Sequence, residues 1–142
     1  MERKEFVEQA AHIVRRAMAF SDKARREGLL ALDDEIDVDG LRRRDIFELG
    51  IRLVVDGTDF KCIDKILSNM LDLERDELTK GLKTIQKEAA LLIQDGMNTR
   101  LLLYTLFSYL GNDEMDEVLG LLNDPDISQE FAINEILSAS EN

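Results

Sequence analysis

The sequence predicts an all-α fold, and three observations support that prediction. The 142 residues are dominated by amino acids with high helix propensity, above all Leu, Ala, Glu and Lys. Apolar residues recur every three or four positions along much of the chain, which is the spacing of one helix face. Pro125 is the only proline. The length fits a single domain over residues 1–142, with a long antiparallel helical hairpin over 1–95 and a cap of shorter helices over 96–142.

The first predicted helix covers residues 2–27. Its apolar stripe has steps of four and three, at Phe6, Ala10, Ile13, Ala17 and Phe20. Gly28 interrupts this pattern, and residues 29–36 either continue the helix or start a second one. The acidic run from Asp33 to Gly40 is typical of a turn. A helix over Leu41 to Val55 is predicted next, although its first turn holds basic side chains, which oppose the helix dipole.

The clearest element is a helix predicted from Phe60 to Asp95. Gly57 suits a left-handed helix end before it, and Thr58 or Asp59 can cap its first turn. Its apolar residues form a nearly heptad seam, made of Leu71, Leu78, Leu82, Ile85, Ala89 and Leu92. Such a helix would be about 54 Å long. We therefore expect the first helix to pack along it as an antiparallel partner.

Shorter helices are predicted over the rest of the chain. The residues at 99–110 are apolar on nearly all sides and should be buried. An acidic helix is expected over 113–122. A last helix would be capped by Ser128 and would face inward through Phe131, Ile133, Ile136 and Leu137.

The charge of the chain restricts its partners. The formal net charge is −12, which argues against binding to nucleic acid or to an anionic membrane surface. No stretch is apolar enough to span a bilayer, and the first residues do not form a secretory signal. We therefore expect a cytoplasmic protein. Positive charge is concentrated in the first half, where residues 1–52 hold 11 basic and 12 acidic side chains.

The sequence offers no catalytic or cofactor chemistry. His12 has no serine or cysteine near it, and Cys62 is interpreted as a small packing residue. Glycine-rich phosphate loops are missing. Two acidic runs partly match a calcium-binding loop, but the run from Glu35 lacks the last carboxylate and the run from Asp124 lacks the central glycine. We predict a protein that is not an enzyme and that holds no metal and no cofactor.

The most informative segment is a pair of motifs in the first half. Residues 24–37 read ARREGLLALDDEID, and residues 54–59 read VVDGTD. Together with the helix between them and the charged helix that follows, they resemble the cytoplasmic loop of the MotA family, the flagellar stator subunits. The resemblance covers roughly residues 20–78, without the transmembrane helices of that family.

The resemblance implies a protein-binding role. In that family, charged residues of the loop engage complementary charges on the rotor switch protein FliG. Arg25 corresponds to the family's arginine, and Asp33 stands where the family usually has glutamate. The predicted partner-binding residues are Arg25, Arg26, Asp33, Asp34, Glu35, Arg42, Arg43 and Arg44. The partner would be a FliG-like rotor switch protein or another motor component, at the flagellar motor.

Two alternatives stay open at this point. Arg25 could pair with an acidic neighbour of its own chain instead of a partner. The seam between Leu71 and Leu92 could instead pair with a second copy, which would make the chain a self-associating helical scaffold, a homodimer with no rotor contact.

Overall fold

A computed structural model describes residues 1–36, 39–123 and 133–138. Within these ranges the regular structure is entirely helical, so the all-α prediction is confirmed. In chain order the helices are α1 (Arg3–Glu27), a 3-10 helix (Leu29–Glu35), α2 (Gly40–Arg43), α3 (Ile46–Val55), α4 (Phe60–Asp72), α5 (Glu77–Gln94), α6 (Thr99–Phe107), α7 (Asn112–Leu122) and α8 (Ile133–Ser138).

The first helix ends where the sequence indicated. Gly28 adopts φ of +92°, a backbone conformation that favours glycine, and its amide donates to the carbonyl of Ala24. The chain then continues as the 3-10 helix. Residues three apart share one side of such a helix, since it has three residues per turn. Leu32 is therefore buried on one side while Leu30 and Asp33 project from another.

The helix predicted over 41–55 is divided in two. Arg44 takes a left-handed conformation with φ of +59°. The Asp45 carboxylate accepts a hydrogen bond from the backbone amide of Glu48 at 3.0 Å and so caps α3. As a result, Arg42 and Arg43 occupy the last turn of α2, where basic side chains agree with the helix dipole. The unfavourable interaction between basic side chains and the helix dipole, expected at the start of one long helix, is therefore absent at Arg42 and Arg43.

The helix predicted from Phe60 to Asp95 is also divided. The Asp76 carboxylate accepts from the backbone amide and hydroxyl of Thr79, at 2.9 and 2.6 Å. The Glu74 carboxylate accepts from the amides of Arg75 and Asp76. These side chains satisfy backbone donors that a continuous helix would have bonded internally, so the chain turns between α4 and α5.

An antiparallel helical hairpin is present, but its two arms are α4 and α5. The side-chain amide of Gln94, at the end of α5, donates to the carbonyl of Thr58, just before α4, at 2.7 Å. Lys87, in the middle of α5, lies 3.1 Å from the carboxylate of Asp64 on α4. The predicted hairpin arms, the first helix and a single long helix, are therefore wrong.

The first helix does pack along α5, but the two run parallel. The Met1 amino group lies 3.3 Å from the Asp76 carboxylate at the start of α5. Phe6 packs beside Gly81, and Arg25 reaches Thr99 beyond the end of α5. The chain reverses direction between α4 and α5, so the part of the predicted long helix that packs on α1 runs parallel to it, and the antiparallel prediction is wrong for this pair.

The main core lies between α1 and α5, and α6 and α7 complete it. Phe6, Val14, Ile85, Leu103 and Val118 are all buried in this cluster. The core thus combines residues of the predicted hairpin region and of the predicted cap. A smaller cluster joins α3 to α4 through Ile46, Leu49, Ile63 and Leu67.

The apolar seam is used inside the chain. Leu71, Leu82, Ile85 and Ala89 are buried, and Leu78 and Leu92 pack against the main core. A dimer interface needs exposed apolar surface, and the apolar side chains of this seam are largely buried within the chain. Homodimerisation stays a prediction, but the seam no longer supports it.

The last helices differ from expectation in part. Leu102, Leu103, Leu106 and Phe107 of α6 are buried, as predicted. Leu101 and Tyr104 are exposed, so the helix has an open face. In α8, Ile133 is buried, while the predicted cap Ser128 and the inward Phe131 lie outside the described residues. None of the described helices is both long enough and apolar enough to cross a bilayer.

Candidate protein-interaction surface

All the predicted partner-binding residues are exposed, but they form two separate groups. The first group is Arg25, Arg26, Asp33, Asp34 and Glu35, at the end of α1 and on the 3-10 helix; we call it the α1-end surface. The second is Arg42, Arg43 and Arg44, at the end of α2; we call it the α2 surface. Because α3 is about 15 Å long and the two groups lie at its opposite ends, the predicted partner-binding residues form two separate surfaces.

Ion pairs hold the acidic side chains of the α1-end surface in place. The Lys23 ammonium lies 2.7 Å from the Glu35 carboxylate. The Arg52 guanidinium of α3 donates to the Asp33 carboxylate, also at 2.7 Å. Both pairs link the 3-10 helix to a neighbouring helix. Exposed pairs of this kind contribute little to stability, so their charges are accessible to another protein at small cost.

Arg25 does not pair with Asp33. Its guanidinium donates to the Thr99 hydroxyl at 3.3 Å, and its neighbour Arg26 pairs with Asp22 one turn earlier in α1. Within the described residues, no carboxylate lies within ion-pair distance of Arg25. The two residues that the resemblance singled out are therefore both exposed at the protein surface, and neither is enclosed in an apolar interior.

Two further residues, Leu30 and Arg52, belong to this surface and were not predicted from the sequence. Leu30 is 76% exposed and stands between the basic end of α1 and the acidic side chains. Arg52 binds Asp33 and lies 3.8 Å from Asp56, so it orders the acidic part of the surface. The three-residue spacing of Leu30 and Asp33 is the sequence signal for Leu30, because residues three apart share one side of a 3-10 helix. Sequence spacing does not indicate Arg52, because its partner Asp33 lies 19 positions away in the chain.

The electrostatics keep the basic side chains charged. The hydrogen bond from Lys23 to Glu35 raises the pKa of the Lys23 ammonium, and nearby Glu27 and Asp34 act in the same direction. Lys23 therefore remains protonated throughout the physiological range. Arginine keeps its charge at any such pH, so the surface presents fixed charges.

The α2 surface lies beside the turn between α4 and α5. Arg42 is 3.8 Å from Asp39, and Arg43 is 3.6 Å from Asp45. Arg44 projects towards Lys83 and Leu73 at that turn. These arginines face a different part of the molecule from Arg25.

The turn beside the α2 surface carries acidic groups with lowered pKa values. The Lys83 side chain, by its hydrogen bond, lowers the pKa of the Glu74 carboxyl, and Thr79 lowers that of Asp76. Both groups favour the folded state when ionised. The stabilisation is complete above the ordinary carboxyl pKa values and is lost as the pH falls through the lowered pKa values of the folded state.

Replacing Lys83 by methionine is expected to raise the pKa of Glu74 towards its ordinary value. The reason is that the largest cause of the lowered pKa is removed while the backbone donors remain. An NMR titration of the side-chain carboxyl carbons measures this directly. Asp76 serves as the internal control, because its main partner is Thr79, and an unchanged Glu74 pKa would contradict the assignment.

The histidine and the cysteine lie on different helices, α1 and α4. His12 and Cys62 are both exposed. The interpretation of Cys62 as a packing residue is wrong, because the buried face of α4 is formed by Ile63, Leu67 and Leu71. No group of three metal-binding side chains occurs in the described ranges. Asp37 and residues 124–130 of the two calcium-loop candidates lie outside them.

Comparison with known proteins finds relatives that share part of this sequence. Over 108 residues the chain is 36% identical to Motility protein A of Borreliella burgdorferi, which covers 76% of this chain and 40% of that protein. It is 37% identical over 86 residues to Motility protein A of Treponema pallidum, covering 60% of this chain and 32% of that protein. The chain is similar to Motility protein A. This agrees with the MotA resemblance of the sequence motifs.

The similarity to Motility protein A is partial. A third relative, Motility protein A of Treponema phagedenis, is 36% identical over 86 residues. The chain spans 40% or less of the length of these curated relatives. No family model matches the chain, and no solved structure matches it.

Proposed function

We propose that the chain is a non-enzymatic protein-interaction module of the flagellar motor, related to the cytoplasmic part of the stator. It would bind a motor component in the cytoplasm, with a FliG-like rotor switch protein as the first candidate. The observation that supports this most is the α1-end surface. The segment that resembles the MotA loop presents Arg25 and Asp33, both exposed and not paired with each other.

The physical properties of this surface suit a contact that is made and broken repeatedly. Fixed charges of both signs raise the rate of encounter and set the orientation of the partner, but they add little to static affinity. The exposed Leu30 lies among these charges. Its burial against a partner would supply the apolar contribution that the charges lack.

Charge reversal tests the proposal. Arg25→Asp and Asp33→Arg are each expected to weaken binding to a purified FliG-like rotor switch protein by about tenfold, or 1.4 kcal/mol. The physical reason is that each change replaces an attraction by a repulsion at the contact. The measurement is a titration of the full chain against that protein at low and high salt, because exposed charge contacts are screened by salt.

A matched control is available on α4. Lys65 is exposed, and Lys65→Asp makes the same change of charge as Arg25→Asp away from the α1-end surface. Its affinity should stay close to that of the unaltered chain. Equal losses in Arg25→Asp and Lys65→Asp, with no loss in Asp33→Arg, would show that net charge, not this surface, determines binding. Sedimentation of the chain alone would show whether it self-associates instead.

A further inference from the structure

Two adjoining cavities lie beside the α2 surface. The larger, of about 270 Å³, is lined by polar side chains that include Gln9, Arg43, Asp45 and Thr79. The smaller, of about 160 Å³, is bounded by the apolar Ile46, Met70 and Leu73 and by the acidic Glu74. Arg44 and Lys83 line both cavities and stand between them. None of these residues belongs to the α1-end surface.

The larger cavity is positively charged in an acidic chain. Its charged lining consists of Arg43, Arg44, Lys83 and Asp45, which gives a local formal charge of +2, whereas the whole chain carries −12. Neutral donors are present beside them, on Gln9 and Gln86. This combination favours an anion with several acceptor oxygens.

Arg44 is the side chain best placed to bind such an anion. The other two cationic side chains of the lining each pair with a carboxylate. Lys83 lies 2.9 Å from Glu74, and Arg43 lies 3.6 Å from Asp45. In the parts of the chain that the structure describes, no carboxylate is within ion-pair distance of Arg44. Its left-handed backbone is unfavourable for a residue other than glycine. Such conformations occur often at ligand sites, where the required side-chain position outweighs the cost.

We propose that these cavities bind a phosphate ester. The phosphate group occupies the larger cavity, where Arg44 binds two of its oxygens through its planar guanidinium. A phosphate monoester carries a charge of about −1.5 to −2 at neutral pH, opposite in sign to the net charge of the larger cavity's lining. The organic group of the ester occupies the smaller cavity, against Met70 and Leu73. A nucleic acid strand is a poor fit, because its further phosphates would meet the acidic remainder of the chain.

The test uses phenyl phosphate and inorganic phosphate as probes, titrated into the full chain and followed by NMR amide shifts. Phenyl phosphate should bind saturably and more tightly than inorganic phosphate. Arg44→Gly removes the guanidinium and keeps the fold, because glycine adopts this backbone conformation readily. It should weaken phenyl phosphate binding at least tenfold, with thermal unfolding confirming that the variant is folded.

The matched control is Arg42→Gln. Arg42 is exposed, belongs to the same short helix and lines neither cavity, so affinity should change less than twofold. Equal losses in both variants would overturn the site, as would unsaturable binding to the unaltered chain. If inorganic phosphate bound as tightly as phenyl phosphate, the assignment of an ester would be wrong. This inference is independent of the proposed motor function, since the α1-end variants leave both cavities intact.

Discussion

Replacing Arg16 by methionine is expected to lower the free energy of unfolding by about 3–5 kcal/mol, because a buried carboxylate then loses its ionic partner. Arg16 of α1 donates to Glu48 of α3, whose side chain is buried. The guanidinium also lies over the rings of Phe20 and Phe47, at 5.2 and 5.0 Å from their centroids. Urea unfolding followed by helical circular dichroism measures the loss.

The double variant Arg16→Met with Glu48→Leu is the informative control. Both charges are then replaced by apolar groups of similar size, a change that is often neutral or stabilising for a buried pair. We expect it to be more stable than Arg16→Met alone. If the single variant lost less than about 1 kcal/mol, the carboxylate would not depend on Arg16, and this pair would not join α1 to α3.

Replacing Gly50 by alanine is expected to lower the free energy of unfolding by about 2 kcal/mol, although alanine favours a helix. A Cβ at position 50 would lie 2.7 Å from the Cβ of Ala90 and 3.2 Å from a methyl of Leu67. Helix α3 would have to move away from α5 and α4. Thermal and urea unfolding both report this change.

Two further variants test the cause. In Gly50→Ala with Ala90→Gly, the contacting methyl groups change places, so most of the lost stability should return. Gly120 in α7 has no atom within 4 Å of the place where a Cβ would be, and Gly120→Ala should therefore stabilise by up to about 1 kcal/mol. A stable Gly50→Ala variant would mean that α3 does not approach α5 so closely.

Local signals in the sequence predicted the helix ends that depend on nearby residues. Gly28 ends α1, Gly57 has φ of +80° before α4, and Asp59 caps α4 through the amide of Cys62. Each of these effects acts within four residues, so the sequence carries it directly.

The break between α4 and α5 was hidden by the apolar spacing. The seven-residue step from Leu71 to Leu78 fits a continuous heptad seam as well as a turn, and no proline or glycine marks the turn. Asp76 followed by Thr79 is the cap that decides it. Acidic residues are common on the solvated face of a helix, so the sequence alone does not show whether Asp76 caps a new helix or lies within a continuous one.

The separation of the charged residues into two surfaces required the packing of the helices. Sequence places Arg44 only 11 positions after Asp33. The bend at Arg44 and the pairing of Arg52 with Asp33 put these two residues at opposite ends of α3. Contacts of this kind depend on tertiary structure, which no spacing rule contains.

The most direct test of the proposed function is an NMR titration of the labelled chain with a FliG-like rotor switch protein. We expect amide shifts concentrated at residues 22–36 and around Arg52, with α7 unaffected. Shifts confined to α7 or to the α2 surface, or no shifts at saturating concentration, would contradict it.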